Sequence, residues 1–202
     1  MIKNIIFDFG DIFVDLDKPV TTNEFLKLGL QASTKEINTI NEAYEVGKID
    51  TETFIHQYKE WLPNAYEHEI VDAWNSIIKE FPKKRLEFIQ KLQKKNTHRL
   101  FLLSNTNHLH INYIKEQVSF YEDFKNCFEQ FYLSQEIGLR KPNANIYEFV
   151  LKTNKLHPSQ TLFIDDTKAN TDTASKLGIH TWNLIPGVED VTELFTLKAT
   201  LF

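Results

Sequence analysis

Five short apolar segments alternate with longer helical patterns, and this alternation constrains the fold more than any other feature of the chain. The apolar segments span residues 2–9, 99–104, 128–133, 161–164 and 179–184. They are too short and too continuously apolar for surface helices, which favours buried strands. Helical patterns lie around them at residues 84–95, 107–118, 144–154 and 168–177. The alternation predicts an α/β fold, a Rossmann-like parallel sheet with helices on both faces.

One long segment, residues 18–81, interrupts this alternation because it holds helical patterns, at residues 36–46, 51–61 and 68–80, and no convincing strand. Ser33 and Asp50 are typical helix starts within it. Residues 16–82 carry 6 Lys/Arg and 12 Asp/Glu, whereas the rest of the chain carries 17 and 16, so charge also marks a separate unit. We predict a core domain from residues 1–17 and 82–202 and a helical cap domain from residues 18–81, called here the helical insertion.

Composition excludes several classes of protein. A single cysteine, Cys127, allows neither an intramolecular disulfide nor a Cys-based zinc cluster, and it favours a reducing, cytoplasmic location. No segment approaches the roughly 20 apolar residues that cross a bilayer, so no membrane partner is expected. The net charge of −5 argues against nucleic acid as a partner. A small molecule is the expected partner, and the chain is compatible with a monomer or a homodimer.

Polar clusters follow four of the predicted strands. They are Asp8, the segment 104–107, the segment 140–142, and Asp165-Asp166 with Asn170. The carboxyl ends of parallel strands meet at one edge of a sheet, where ligands bind near the point at which the strand order reverses. We therefore expect these clusters to form one site.

The clusters are chemically complementary. Asp8, Asp165 and Asp166 would repel one another if they converged without a compensating charge. Carboxylate oxygens suit a hard cation such as Mg²⁺, which usually keeps water or phosphate among its ligands. Lys141 and the Ser104 hydroxyl supply a positive charge and a donor for phosphate oxygens. Such a set provides the positioning and charge neutralisation that phosphoryl transfer requires.

The order Asp8, Ser104, Lys141 and Asp165-Asp166 resembles the four motifs of the haloacid dehalogenase-like (HAD) hydrolase superfamily. The segments FDFGDIFVD, LLSNTN, YLSQEIGLRKP and FIDD are similar to the branch that contains bacterial α-D-glucose-1-phosphate phosphatases. The resemblance covers nearly the whole chain and is weakest in the helical insertion. It implies that the insertion closes over the site and selects the leaving group.

The resemblance assigns the groups that react with phosphate. Asp8 would be the nucleophile and would form an aspartyl-phosphate. Ser104 and Asn105 would hold the phosphate. Lys141 would bind phosphate as well and would stabilise both the nucleophile and the transferring group.

The resemblance also assigns the metal ligands. Asp8, Asp165 and Asp166 would bind Mg²⁺, and the main-chain carbonyl of Gly10 would complete the protein ligands. Asn170 would support Lys141 or the surroundings of the metal.

Position 10 departs from the wider superfamily, in which most phosphatases have a second Asp two residues after the nucleophile. That residue acts as general acid and base, and here it is Gly10. The closer branch shares this glycine. Asp11 is the obvious substitute as proton donor, although the turn after the strand could equally point it away from the site.

The predicted function is hydrolysis of a small phosphorylated metabolite, for example a sugar phosphate such as glucose 1-phosphate, by a phosphoric monoester hydrolase with Mg²⁺. One alternative is a non-catalytic protein that binds phosphorylated metabolites, with Gly10 as a sign of lost activity. Another is carbon–halogen hydrolysis, which uses the same nucleophile without a metal. The retention of Asp8, Lys141 and the paired Asp165-Asp166 favours the phosphatase.

Overall fold

A computed structural model describes all residues, 1–202, and contains one sheet of five parallel strands. The strands are β1 Asn4–Phe7, β2 Arg99–Ser104, β3 Gln130–Leu133, β4 Thr161–Asp165 and β5 His180–Asn183. Their order across the sheet is β3-β2-β1-β4-β5. The α/β prediction is therefore confirmed, and β1 lies at the centre, where the chain order reverses.

The register of the strands aligns the ends that carry the polar clusters. Phe7, the last residue of β1, pairs with Leu102 on one side and with Ile164 on the other. Asp8 and Asp165 thus leave neighbouring strands at the same level. β1 is shorter than the predicted segment because Phe9 already belongs to the turn that follows it.

Eleven α-helices surround the sheet or form the insertion. They are α1 Lys18–Lys27, α2 Thr34–Glu45, α3 Thr51–Trp61, α4 Glu67–Asn75, α5 Lys83–Lys95, α6 His108–Gln117, α7 Tyr121–Lys125, α8 Ser134–Ile137, α9 Ala144–Thr153, α10 Lys168–Lys176 and α11 Leu194–Leu197. None of them combines the length and the apolar character that crossing a membrane requires.

Capping residues begin two helices of the insertion as predicted. Ser33 and Glu36 form a reciprocal capping box at the start of α2, and Asp50 accepts a hydrogen bond from the Thr53 N–H at the start of α3. The prediction that the helix continues to residue 80 was wrong, because α4 ends at Asn75. The residues after it are needed in an extended connection.

That connection pairs with the segment that enters the insertion. The Asp15 N–H donates to the Glu80 carbonyl at 2.8 Å, and the Asp17 N–H donates to the Ile77 carbonyl at 2.8 Å. Leu16 and Ile78 form an antiparallel bridge between the two segments. We call this pair of segments, residues 15–17 and 77–80, the neck.

Three hydrophobic clusters hold the molecule together. Side chains alternate across the sheet, so Ile5 and Phe7 belong to the cluster on one face and Ile6 belongs to the cluster on the other. A third cluster lies within the helical insertion and includes Tyr44 and Trp74. The insertion therefore has an apolar core of its own.

A buried polar contact joins the insertion to the part of the chain that contains the sheet, residues 1–17 and 82–202, which is called here the sheet domain. The indole N–H of Trp74 in α4 donates to Asn107 Oδ1 at 3.2 Å. His110 in α6 stacks on the Trp74 ring, and its Nε2 lies 3.1 Å from the Trp74 carbonyl. Burial lowers the pKa of His110 to about 4, although the bond to the Trp74 carbonyl opposes this shift.

Gly47, just after α2, makes a second close contact with the sheet domain. Its φ is +65°, and a Cβ there would lie 2.4 Å from the Gln135 carbonyl oxygen. Only glycine allows both this conformation and this approach of two backbones.

Candidate active site

The carboxylates at the strand ends converge as the sequence predicts. Asp8 follows β1, Asp165 ends β4, and Asp166 comes next along the chain. Oxygen atoms from the three side chains all lie within 4.8 Å of one another. The parallel register produces this cluster because it brings the ends of β1 and β4 side by side.

Lys141 lies between two of these carboxylates and is almost completely buried. Its Nζ is 2.7 Å from Asp8 Oδ1 and 2.6 Å from Asp165 Oδ2. Burial acts to lower the pKa of Lys141, but the two carboxylates outweigh it and raise this pKa above its ordinary value. The ammonium group therefore stays protonated beside Asp8.

Asp165 is the fully buried anchor of the cluster. Besides Lys141, it accepts hydrogen bonds from Asn170 Nδ2 at 2.9 and 3.0 Å and from the Thr167 N–H at 2.8 Å. These donors fix the orientation of its carboxylate. Asn170 therefore contacts Asp165 directly and Lys141 only through it.

Asn105 fixes the loop that carries Lys141. Its Oδ1 accepts from the Lys141 N–H at 2.9 Å, and its Nδ2 donates to the Lys141 carbonyl at 2.8 Å. Ser104 is buried at the end of β2, and its hydroxyl lies 3.4 Å from the Asn105 carbonyl. Asn105 lines the cleft over Asp8, whereas Ser104 is not among the residues that line it.

The turn after Asp8 offers a carbonyl but no acid. The Gly10 carbonyl accepts no hydrogen bond from the protein, which leaves it available to a ligand. A Cβ at position 10 would lie 2.6 Å from Leu16 Cδ1. The Leu16 side chain therefore occupies the space that any side chain at position 10 would need.

Asp11 points its carboxylate towards the neck. Its φ is +56°, and its Oδ1 accepts from the Leu16 N–H at 3.0 Å. Its Oδ2 lies 2.8 Å from Lys18 Nζ. Asp11 does not line the cleft that contains Asp8, and these contacts favour a structural role.

Two further residues of the site come from the helical insertion, and the sequence did not single them out. Lys18, the first residue of α1, lies 2.5 Å from Asp166 Oδ2 and so bridges Asp166 and Asp11. Glu45, the last residue of α2, lies 3.0 Å from Arg140 in the loop before Lys141. Helical periodicity gives no signal for either contact.

A cleft of about 340 Å³ lies over Asp8, and 8 of its 13 lining residues carry charged or amide side chains. Its walls consist of Asp8, Gly10, Leu16, Lys18, Glu45, Asn105, Arg140, Lys141, Pro142, Asp166, Thr167, Ala169 and Asn170. A larger cavity of about 580 Å³ lies at the opposite, amino-terminal edge of the sheet. Its lining residues are mostly solvent-exposed, and they include no comparable cluster of carboxylates.

The charges at the strand ends fit a divalent cation. Four carboxylates, Asp8, Asp11, Asp165 and Asp166, face two ammonium groups, Lys18 and Lys141, so the formal charge of the group is −2. Burial raises the pKa of Asp8 although Lys141 opposes the rise, and Asp165 and Asp166 raise it further. The positive charge near Asp8 is therefore too small to offset burial and the neighbouring carboxylates. A Mg²⁺ ion bound to these oxygen atoms would supply the missing charge.

Comparisons with known proteins agree with this chemistry. The family model of haloacid dehalogenase-like hydrolases matches residues 2–178. The chain is 30% identical to D-ribitol-5-phosphate phosphatase of Bacteroides thetaiotaomicron, with 96% of this chain and 97% of that protein covered. It is 25% identical to a sesquiterpene phosphatase of Aspergillus oryzae, with 95% and 94% covered.

A solved structure matches over the same length. It is a HAD family enzyme of B. thetaiotaomicron in complex with magnesium and inorganic phosphate. The TM-score is 0.85 and the identity 31%, and the match covers 96% of this chain and 100% of that one.

These comparisons confirm the predicted enzyme class, a phosphoric monoester hydrolase acting on a phosphorylated metabolite, and the predicted cofactor, Mg²⁺. They do not support glucose 1-phosphate in particular. The chain belongs to the haloacid dehalogenase-like hydrolase family.

Proposed function

We propose that this phosphatase attacks the phosphorus atom of a small, hydroxylated phosphate ester with Asp8. The observation that carries the proposal is the position of Lys141. This buried ammonium group contacts Asp8 and Asp165 together, at the edge of the sheet where three carboxylates converge. A structural ion pair needs one carboxylate, whereas a phosphoryl-transfer site needs a nucleophile, a fixed cation and metal ligands.

The reaction proceeds in two displacements. An Asp8 oxygen bonds to phosphorus, the bond from phosphorus to the ester oxygen breaks, and the leaving alcohol takes up a proton. Water then attacks the phosphorus of the aspartyl-phosphate, which releases phosphate and restores the Asp8 carboxylate. Lys141 neutralises charge on Asp8 and on the transferring group. Asn105, which lines the cleft, is the proposed contact with phosphate oxygens. The buried Ser104 hydroxyl would have to turn towards the cleft to add a second contact.

Asp8, Asp165, Asp166 and the Gly10 carbonyl are the proposed ligands of Mg²⁺. The bound ion supplies positive charge that neutralises the phosphate oxygens. Asn170 holds the Asp165 carboxylate in place through its two hydrogen bonds. Lys18 forms an ion pair with Asp166, and both residues line the cleft.

The polar lining of the cleft supports a hydroxylated leaving group. Charged side chains and amides dominate its walls, and few apolar side chains are available to bury a hydrocarbon. This favours alditol and sugar phosphates, such as ribitol 5-phosphate or glucose 1-phosphate, over the phosphate of a terpenoid alcohol.

We further propose that the helical insertion is a cap domain spanning residues 18–81, with the core formed by residues 1–17 and 82–202. The separate apolar cluster of the insertion and the paired segments of the neck support this division. Arg140 ties α2 to the loop of Lys141 through Glu42 and Glu45, so the cap covers the cleft from that side.

Substitution of the nucleophile tests the reaction. Asp8→Asn removes the attacking oxygen and one metal ligand, so phosphate release should fall by about four orders of magnitude or more. The control is Asp172→Asn, an exposed aspartate in α10 that pairs with Lys168, and it should retain wild-type activity. The assay measures phosphate released from ribitol 5-phosphate, glucose 1-phosphate and p-nitrophenyl phosphate, with Mg²⁺ and after chelation.

Three outcomes would contradict the proposal. Substantial activity in Asp8→Asn would exclude Asp8 as the nucleophile. Full activity after chelation would exclude the metal site. If the wild type released no phosphate from any ester, yet those esters raised its melting temperature, the protein would be a non-catalytic binder.

A further inference from the structure

The helical insertion contributes one carboxylate to the cleft over Asp8, and the mechanism above does not use it. Glu45 stands at the end of α2 and its side chain is 24% exposed. Its Oε2 accepts a hydrogen bond from Arg140 Nη2 at 3.0 Å. Its other oxygen, Oε1, accepts no hydrogen bond from the protein, so an acceptor remains free at the cleft.

Glu45 lies on the side of the cleft where the leaving group of a bound ester could contact it. Asp8 and Lys141 fix the phosphoryl end of the cleft at the strand ends. Glu45 comes from the insertion, on the wall formed with Arg140, and the sequence neighbour of Arg140 is Lys141. A group esterified to the phosphate that extends from the strand ends towards the insertion meets this wall.

The Glu45–Arg140 pair restricts the chemistry of that group. The Glu45–Arg140 pair has no net formal charge, so a charged group on the leaving group would be attracted by one member and repelled by the other. An apolar group would strip water from the free oxygen without replacing its hydrogen bond. A hydroxyl group is neutral and donates to a carboxylate with a short, charge-assisted bond.

We propose that Glu45 determines specificity by accepting a hydrogen bond from a hydroxyl of a neutral, polyhydroxylated leaving group, and that Arg140 positions Glu45 for this contact. The inference rests on the proposed function of the cleft.

The chain offers a matched control for this assignment. Glu42 lies one turn before Glu45 on α2 and pairs with the same guanidinium, its Oε1 lying 2.9 Å from Arg140 Nη1. It is 57% exposed and does not line the cleft. Glu42→Ala therefore removes one ion pair between α2 and Arg140 but no carboxylate from the cleft.

The experiment compares two substrates in each variant. For ribitol 5-phosphate, Glu45→Ala should lower kcat/KM about 10- to 100-fold, the usual value of a hydrogen bond to a charged group, mainly through KM. For p-nitrophenyl phosphate, whose leaving group has no hydroxyl to donate, kcat/KM should stay within about 3-fold. Glu42→Ala should leave both substrates near wild type.

Two more variants separate recognition from folding. Glu45→Gln keeps the shape and a neutral acceptor, so it should lose only part of the activity towards ribitol 5-phosphate. Arg140→Met leaves Glu45 without its partner and should raise KM for ribitol 5-phosphate by a larger factor than KM for p-nitrophenyl phosphate.

Equal losses on both substrates in Glu45→Ala, or no loss on ribitol 5-phosphate, would overturn the inference, as would an equal effect of Glu42→Ala. These results leave the proposed function intact because the wild type still hydrolyses both esters with Mg²⁺. A wild type that hydrolyses neither ester would overturn both proposals.

Discussion

Lys141 illustrates how a buried charge is stabilised at the scale of one residue. An isolated ammonium group in the interior would lose its proton or destabilise the fold. Here two carboxylates lie within 2.7 Å of Nζ, and the Phe163 ring lies 5.4 Å away. The residue is held rigidly, which suits a group that has to meet a transferring phosphoryl in one position.

Asp11 leads to a prediction that separates a proton donor from a structural residue. Its carboxylate is occupied by the Leu16 N–H and by Lys18. Asp11→Asn should therefore lower kcat/KM by less than about 10-fold, and by the same factor for an alkyl phosphate and for p-nitrophenyl phosphate, whereas loss of a proton donor costs about 10²–10⁴-fold. Steady-state kinetics on both esters provides the measurement.

The opposite result for Asp11 has a clear signature. A phenol of low pKa departs without a proton, whereas an alkoxide does not. A loss of about 10²-fold or more that is confined to the alkyl phosphate would identify Asp11 as the donor despite its contacts.

His110 leads to a prediction about pH. Its pKa is about 4 in the folded protein and 6.5 in the unfolded chain, so below pH 6.5 the unfolded chain binds a proton that the folded protein does not. The contribution of neutral His110 to the free energy of unfolding is complete above pH 6.5 and is lost as pH falls towards 4. The free energy of unfolding should drop by up to about 3 kcal/mol over that range.

Denaturant unfolding at a series of pH values measures this loss, with His110→Gln as the reference. Glutamine retains a donor for the Trp74 carbonyl but does not titrate. The difference in stability between wild type and variant should change between pH 6.5 and 4. A constant difference would show that His110 takes no part in the acid sensitivity.

At the scale of elements, Gly47, two residues after the end of α2, brings the helical insertion into close contact with Gln135. Gly47→Ala would place a Cβ 2.4 Å from the Gln135 carbonyl, in a conformation with φ of +65°. We expect a loss of about 2–5 kcal/mol in the free energy of unfolding, the sum of conformational strain and steric overlap.

Gly29→Ala is the control for Gly47→Ala. Gly29 has φ of +95° but no atom within 4 Å of a Cβ, so it should show the conformational cost alone, about 1–2 kcal/mol. Urea unfolding of both variants gives the contribution of the close approach by difference. Equal losses would mean that the contact between Gly47 and Gln135 does not constrain the insertion.

The strands and the site at their ends follow from the sequence for a physical reason. A strand covered on both faces is apolar at every position, so Leu100–Leu103 could be recognised without knowledge of its partners. Parallel strands place their carboxyl ends together, so the convergence of Asp8, Asp165 and Lys141 could also be predicted.

The contacts of the helical insertion could not be predicted in the same way. Glu45 and Lys18 are surface-type residues of helices, and helical periodicity does not reveal which polar side faces the sheet domain. The predicted end of α4 was wrong because Ile77 and Ile78 continue the apolar pattern of the helix. The structure uses them in the neck and its surroundings, where tertiary pairing overrides the local preference.

At the scale of the whole molecule, the two proposed roles fall on two parts of the chain that have separate hydrophobic clusters. The clusters on the faces of the sheet hold the strand ends that carry Asp8, Asp165 and Asp166. The cluster of the helical insertion holds α2, which carries Glu45. The two parts meet through a small number of contacts, chiefly the neck, the Trp74–His110 stack and the Arg140 pairs.

The neck has a consequence for the history of such a chain. Its two segments lie side by side and are joined by backbone hydrogen bonds of 2.8 and 2.9 Å, so the insertion leaves and rejoins the sheet domain at one point. A stretch of gene that encodes residues between the two segments can lengthen, shorten or be exchanged without altering the order or register of the strands. Descendants of one ancestral enzyme can therefore acquire new preferences for the alcohol they release while inheriting the same machinery for breaking the ester.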